Sequence, residues 1–190
     1  MLNNSIKSRT IKNLGKGLFS KSSPSYLILY VNNICQLRCD MCFYWDAMQK
    51  KTKQLSLDEI TKLSKSLPNL LQLTLTGGEP SLRKDITEIP KIFSKYSNLS
   101  KCTMVTNGML HERIREQVNT FVNENKDVDF RISISMDGIG DLHDKIRGVK
   151  GSFLNAEKTL SLLFKIRDQV SNLWIDIATT ISKYNYEKFE

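Results

Sequence analysis

Apolar runs rich in β-branched and aromatic residues alternate along this chain with longer amphipathic stretches. The alternation predicts an α/β fold with a parallel sheet built from βα units. The five predicted strands are about Tyr26–Asn32, Leu71–Thr76, Lys101–Thr106, Asp129–Met136 and Leu173–Thr180. The predicted helices begin near Ser56, near Asp85, near His111 and at Ser152, the last three ending near Tyr96, Asn123 and Asp168. A loop is expected between the fourth strand and Ser152, and another helix is expected to begin within Tyr184–Glu190.

Two local signals refine the helix starts. The sequence Ser56-Leu57-Asp58-Glu59 has the spacing of a capping box, in which the serine and the glutamate each bind the other's backbone N–H. Pro90 lies inside the second predicted helix and is expected to kink it or to delay its start.

The strands predict a sheet with one apolar and one polar face. In the fourth strand Ile132 and Ile134 alternate with Ser133 and Ser135, and successive strand residues point to opposite faces. A closed TIM barrel fills its interior with branched apolar residues, so a polar lining favours a wider, ligand-holding barrel. Residues 26–190 provide about five units, which predicts a partial barrel truncated at its carboxyl end.

Length and composition indicate one ordinary globular domain. The chain has 190 residues, of which 40% are hydrophobic and 25% charged. The apolar stretch Tyr26–Val31 is too short for a membrane span, which needs about 20 residues, and lies too far into the chain for a secretory signal. We therefore expect a cytoplasmic protein.

The net charge of +8 is concentrated at the amino terminus. Residues 1–24 contain five basic residues and no acidic one, and we interpret this segment as a flexible leader or short helix preceding a domain at 25–190. A basic arm could contact nucleic acid, anionic lipid or an acidic partner. The preferred interpretation is a solvated leader, and a nucleic-acid partner is not expected.

The densest chemical signal is a short loop after the first strand. Cys35, Cys39 and Cys42 lie at spacings of four and three within eight residues, and cysteine thiolates are the usual ligands of iron–sulfur clusters. Three ligands leave one iron of a cubane cluster free for a small molecule. Structural zinc is the alternative, but it requires four ligands, and the remaining candidates, Cys102 and His111, are distant in sequence.

These cysteines, together with Gly77-Gly78-Glu79-Pro80 after the second strand, resemble the radical S-adenosylmethionine (SAM) superfamily. The similarity continues through three further segments, which are Thr106–Gly108, Ser133–Gly138 and His143–Gly148. This longer pattern is similar to the branch containing the molybdenum-cofactor, sulfatase-maturing and peptide-modifying (SPASM-type) enzymes. The resemblance implies a partial TIM-like barrel of radical SAM type.

The resemblance implies a role for each matching residue. Cys35, Cys39 and Cys42 would ligate three irons of a [4Fe–4S] cluster, and the fourth iron would bind the methionine part of SAM. Met41 occupies a position where the family usually has an aromatic residue whose main chain contacts adenine. The segment Gly77-Gly78-Glu79-Pro80 would bring main chain near the methionine amino group, with Glu79 as an acceptor for the ammonium.

Five more residues are implied to bind the cofactor. Ser135 and Asp137 would hold the ribose hydroxyls and carboxylate of SAM, and Ser133 is a weaker candidate. Arg147 resembles an arginine that reaches the SAM carboxylate, for which a bidentate guanidinium is suited; a surface salt bridge is the alternative. Thr106 and Asn107 are expected at the same mouth, with turn formation as the alternative. No catalytic base is assigned to His111 or His143.

The implied reaction is the reductive cleavage of SAM to methionine and a 5′-deoxyadenosyl radical, which abstracts hydrogen from a substrate. The implied partners are SAM, an electron donor such as flavodoxin or ferredoxin, and an unidentified substrate, for which a peptide is preferred. The alternatives are an iron–sulfur module that does not cleave SAM, and an inactive fragment of such an enzyme.

Overall fold

The computed structural model describes residues 24–188 except 49 and 51, together with residues 10, 11 and 15 near the amino terminus. The predicted basic leader therefore lies almost entirely outside the described residues. In the described part of the chain, no helix has both the length and the apolar character needed to cross a bilayer.

Strands and helices alternate as the sequence pattern predicts. The strands are β1 (Tyr26–Asn32), β2 (Gln72–Gly77), β3 (Lys101–Thr106), β4 (Asp129–Ser135) and β5 (Leu173–Ala178). The α-helices are α1 (Trp45–Met48), α2 (Leu57–Ser66), α3 (Glu88–Ser97), α4 (His111–Glu124), α5 (Asp141–Arg147) and α6 (Ser152–Arg167). Two short 3₁₀ helices span Pro80–Leu82 and Tyr186–Lys188, the second in the region where a further helix is expected.

The five strands form one parallel sheet in the order β1-β2-β3-β4-β5. Each strand pairs with the next one along the chain, as in the wall of a TIM-like barrel. This arrangement confirms the predicted α/β class and partial barrel. Because all strands run in the same direction, the loops after their carboxyl ends meet at one edge of the sheet.

The structure confirms the two local signals that were used to predict where helices begin. Ser56 accepts a hydrogen bond from the Glu59 N–H at 3.2 Å, and the Glu59 carboxylate accepts one from the Ser56 N–H at 2.7 Å. Pro90 does delay its helix: α3 begins at Glu88, which places the proline in the first turn, where it displaces no intrahelical hydrogen bond.

The two faces of the sheet differ in polarity as predicted for β2 and β4. Leu73, Leu75, Ile132 and Ile134 are fully buried beneath the helices. On the other face β2 contributes threonines and β4 contributes serines, whereas β1 contributes Tyr26, Ile28 and Tyr30, which are aligned with Gln72, Thr74 and Thr76. The face that the helices leave uncovered is therefore polar in β2 and β4 and partly apolar at its β1 edge.

The prediction of a loop between β4 and Ser152 was wrong in one respect, because this segment contains the helix α5. The helix has only seven residues and lies between Gly140 and Gly148, both of which have positive φ angles of 56° and 73°. A helix this short shows too few turns for apolar periodicity to reveal it.

Candidate active site

The cysteine loop follows β1 at the carboxyl edge of the sheet. Cys35, Cys39 and Cys42 are free thiols and partly buried. The Cys42 N–H binds the Cys39 carbonyl at 3.1 Å, which closes a turn containing Met41. Among the residues that the structure describes, no three metal-binding side chains are already gathered into a ready-made site. The three thiols thus share one loop, and binding a cluster would draw their sulfurs together.

Helix α5 holds this loop through its backbone. The N–H groups of Arg38 and Asp40 donate to the carbonyls of Arg147 and Ile146, at 3.1 and 3.0 Å. Gly148 makes this approach possible, because a Cβ atom there would lie 2.5 Å from the Arg38 carbonyl oxygen. The segment from His143 to Gly148 therefore supports a cysteine loop that lies far away in the sequence.

The glycines after β2 hold the start of the same loop. The N–H of Gly78 binds the Asn32 carbonyl at 3.1 Å, and the N–H of Glu79 binds the Ile34 carbonyl at 2.7 Å. A Cβ atom on Gly77 or Gly78 would collide with these carbonyls. The two glycines are therefore needed for the close contact between the end of β2 and the start of the cysteine loop, in addition to any approach to a ligand.

Glu79 is turned into the protein. Its carboxylate accepts hydrogen bonds from the Thr106 hydroxyl at 2.7 Å, the Asn107 N–H at 2.8 Å and the Ser81 N–H at 3.0 Å. Only 1% of the residue is exposed, and burial raises the pKa of the carboxyl although these hydrogen bonds act against the shift. Pro80 begins the adjacent 3₁₀ helix. Glu79 thus joins the ends of β2 and β3, and its expected contact with an ammonium group stays a prediction.

Thr106 and Asn107 have different surroundings, although Thr106 is the last residue of β3 and Asn107 comes directly after it. Thr106 is buried and aligned with Ile134 on the helix-covered face, so the expectation that it faces the mouth was wrong. The Asn107 amide lies 3.7 Å from the Cys35 sulfur, and its oxygen accepts a hydrogen bond from Gln36 at 3.3 Å. Asn107 therefore faces the cysteine loop.

Asp137 and Arg147 form a buried ion pair beside the loop. Arg147 Nε lies 2.6 Å from Asp137 Oδ2, and the side chains are 11% and 0% exposed. A guanidinium nitrogen of Arg147 also lies 3.7 Å from the Cys39 sulfur. The surface salt bridge considered for Arg147 is thus a buried one, and it reaches a cysteine. Ser135, the last residue of β4, is partly buried on the polar face.

Two side chains to which no role was assigned from the sequence also organise this region. His143 is fully buried, and its Nδ1 accepts the Asp137 N–H at 3.1 Å. Asp144 accepts hydrogen bonds from the N–H of Gly151, the Ser152 hydroxyl and the Phe153 N–H, at the amino end of α6. Both lie in the His143–Gly148 segment, and the missed helix α5 hid their roles.

Burial in the loop favours the protonated thiol over the thiolate at Cys35 and Cys39. Burial raises the pKa of Cys35 to about 11, and Glu79 and Cys39 also act to raise it. Burial raises the pKa of Cys39 too, while the Arg147 guanidinium acts in the opposite direction. Cys42 and Asp137 also act to raise the pKa of Cys39. Metal binding would supply the positive charge that deprotonates them.

The donor set fits an iron–sulfur cluster better than structural zinc. Three soft thiol ligands share one loop, and nitrogen donors from Asn107 and Arg147 approach two of the sulfurs, which is a common second layer around such clusters. Cys102, a possible fourth zinc ligand, is fully buried in the core beneath the helices. It lies away from the loop and cannot complete the set.

Comparisons with known proteins agree with this assignment. Residues 29–190 match the model of the radical SAM superfamily. The GTP 3′,8-cyclase of Mannheimia succiniciproducens is 30% identical over 164 residues, covering 78% of this chain and 48% of that protein. That of Haemophilus ducreyi is 36% identical over 93 residues, or 47% of this chain and 27% of that protein. The chain thus spans about half or less of the length of these relatives.

Solved structures show the same fold. The structure of anSMEcpe with bound AdoMet has a TM-score of 0.66 and 22% identity, over 86% of this chain and 47% of that one. Streptococcus suis SuiB bound to the precursor peptide SuiA has a TM-score of 0.62 and 20% identity, over 99% of this chain and 42% of that one. With the family match covering most of the sequence, the chain belongs to the radical SAM superfamily, whose cofactors are a [4Fe–4S] cluster and SAM.

Proposed function

We propose that this chain contains the SAM-cleaving part of a radical SAM enzyme that abstracts hydrogen from its substrate. The observation that carries the proposal is the convergence of three strand ends on one cysteine loop. The segments after β2, β3 and β4 each contact residues 32–40 through backbone or side-chain hydrogen bonds. A loop held in this way presents its three thiols at the carboxyl edge of the sheet, where α/β proteins bind their ligands.

The cysteines of the loop and the residues around it have separate proposed roles in this function. Cys35, Cys39 and Cys42 hold the [4Fe–4S] cluster, which when bound supplies the electron that cleaves SAM into methionine and a 5′-deoxyadenosyl radical. The cofactor performs the difficult chemistry, and the protein positions it. The other proposed SAM contacts are at Met41, Gly77, Gly78, Glu79, Pro80, Asn107, Ser135, Asp137 and Arg147.

The substrate class we favour is a peptide or protein. Two solved structures with this fold, anSMEcpe and SuiB, have been determined with peptides, and the Asp137–Gly148 segment resembles that branch. A nucleotide is the second candidate, because two relatives that are 36% and 30% identical to parts of this chain are GTP 3′,8-cyclases. The electron donor in this proposal is a flavodoxin or a ferredoxin.

The test is an anaerobic assay of SAM cleavage. The chain is reconstituted with iron and sulfide, reduced and mixed with SAM, and 5′-deoxyadenosine is measured. Cys39→Ala removes one thiol of the loop, and Cys102→Ala is the matched control, because it removes a thiol that lies in the core. We expect 5′-deoxyadenosine from the wild type and from Cys102→Ala but not from Cys39→Ala.

Other outcomes of this assay separate the alternatives. A bound cluster without SAM cleavage would contradict the proposal and favour an iron–sulfur module or a fragment that lacks activity, and a longer chain would distinguish these two. A rise in 5′-deoxyadenosine that depends on GTP, together with consumption of GTP, would support the nucleotide and contradict the preference for a peptide.

A further inference from the structure

Arg147 lies between a carboxylate and a proposed cluster ligand. Its Nε is 2.6 Å from Asp137 Oδ2, and a terminal guanidinium nitrogen is 3.7 Å from the Cys39 sulfur. The arginine side chain is 11% exposed, so solvent screens these interactions weakly. The planar guanidinium offers several donors in a fixed geometry, which allows it to contact both partners at once.

Asp137 is itself fixed on three sides. Its Oδ1 accepts the Thr180 N–H at 2.9 Å, its N–H donates to His143, and its carbonyl accepts the Asn185 amide at 2.9 Å. The carboxylate that holds Arg147 is therefore tied to the ends of β4 and β5 and to α5. This restraint keeps the guanidinium in place beside Cys39.

The backbone around Arg147 is held as firmly as its side chain. Its carbonyl accepts the N–H of Arg38, and the preceding carbonyl of Ile146 accepts the N–H of Asp40. These two hydrogen bonds flank Cys39 on both sides. The guanidinium and the Cys39 thiol thus keep their relative positions through two independent sets of contacts.

On the basis of the proposed function, we infer that Arg147 is a positioning residue that Asp137 holds beside Cys39 to raise the reduction potential of the cluster. A cation that donates to a ligand sulfur stabilises the reduced cluster, which has one more negative charge, more than the oxidised one. This role differs from the contact with the SAM carboxylate that the family resemblance implies, because it operates before SAM binds.

The test is a redox titration of the reconstituted chain in the absence of SAM. Electron paramagnetic resonance monitors the reduced cluster and gives its midpoint potential. Arg147→Gln removes the charge and is expected to weaken reduction of the cluster about tenfold, which for one electron lowers the midpoint by about 59 mV. Arg147→Lys keeps the charge without the fork and should give an intermediate midpoint. Arg131→Gln is the matched control, because Arg131 is also ion-paired but is 58% exposed near the amino end of β4.

The possible results separate this inference from the proposed function. Equal midpoints for the wild type and Arg147→Gln, with SAM cleavage intact in the wild type, would overturn the inference alone. An unchanged midpoint with weaker SAM binding would assign Arg147 to the SAM carboxylate and also overturn it. If Arg147→Gln holds no cluster, Arg147→Met replaces it as the uncharged variant, and a wild-type midpoint in Arg147→Met would overturn the inference. A folded wild type that binds no cluster would overturn both proposals.

Discussion

Gly148 provides a sharp test of how the cysteine loop is held. Replacing it by alanine adds two separate penalties. Its φ of 73° is left-handed, which costs a residue with a side chain about 1–2 kcal/mol. The added Cβ would also lie 2.5 Å from the Arg38 carbonyl oxygen, so the loop must move away and weaken the Arg38 and Asp40 hydrogen bonds, at about 1 kcal/mol each. The total is about 3–4 kcal/mol.

Gly151 separates the two penalties. Its φ of 83° is also left-handed, but a Cβ there would meet nothing closer than 4.0 Å. Gly151→Ala should therefore cost only the backbone penalty of about 1–2 kcal/mol. Urea unfolding of the two variants measures the difference in the free energy of unfolding, and hydrogen exchange of peptides covering residues 35–42 measures loop protection. Equal free energies and unchanged loop protection in Gly148→Ala would refute the proposed contact.

Two further predictions concern carboxylates that accept several hydrogen bonds. Asp144→Asn should destabilise the protein by about 1–2 kcal/mol by weakening the cap of α6, whereas Asp141→Asn, exposed on α5, should change stability by less than about 0.5 kcal/mol; urea unfolding measures both. Partial burial acts to raise the pKa of Asp144, but hydrogen bonds from Phe153 and Gly151 lower the pKa overall. The stabilisation by the carboxylate is therefore present above the ordinary aspartate pKa of 3.8. It should be lost as the pH falls through the lowered pKa of Asp144. Thr106→Val should lower the free energy of unfolding by about 1–3 kcal/mol, because it removes a donor to the buried Glu79 carboxylate. Thr103→Val, on the polar face, should lower it less. Equal losses in the two variants would contradict the role of Glu79 in joining the ends of β2 and β3.

The strands could be predicted from the sequence because burial on alternate positions imposes period two. The bounds of β1 and β3 agree with the prediction to the residue. The same alternation also contained the direction of Thr106: it has the parity of Cys102 and Met104, which face the core. The expectation that it faces the mouth neglected this parity.

The cysteine loop could be recognised from its spacing, but its supports could not. Arg147 and Cys39 are 108 residues apart in the sequence, and no local pattern indicates which distant backbone will approach a loop. The inward direction of Glu79 is equally hidden, because it depends on donors from β3 that only the folded sheet brings near. The local pattern around Gly148 likewise does not indicate that this glycine approaches the Arg38 carbonyl.

Iron and sulfide content per folded chain is the measurement that tests the central claim most directly. After anaerobic reconstitution and removal of unbound iron, the wild type and Cys102→Ala should each retain about four iron and four sulfide ions, the content of a [4Fe–4S] cluster. Cys39→Ala, with matching circular dichroism, should lose most of both. A folded wild type without iron, or equal iron retention in Cys39→Ala and Cys102→Ala, would contradict the assignment of the cysteine loop as the cluster site.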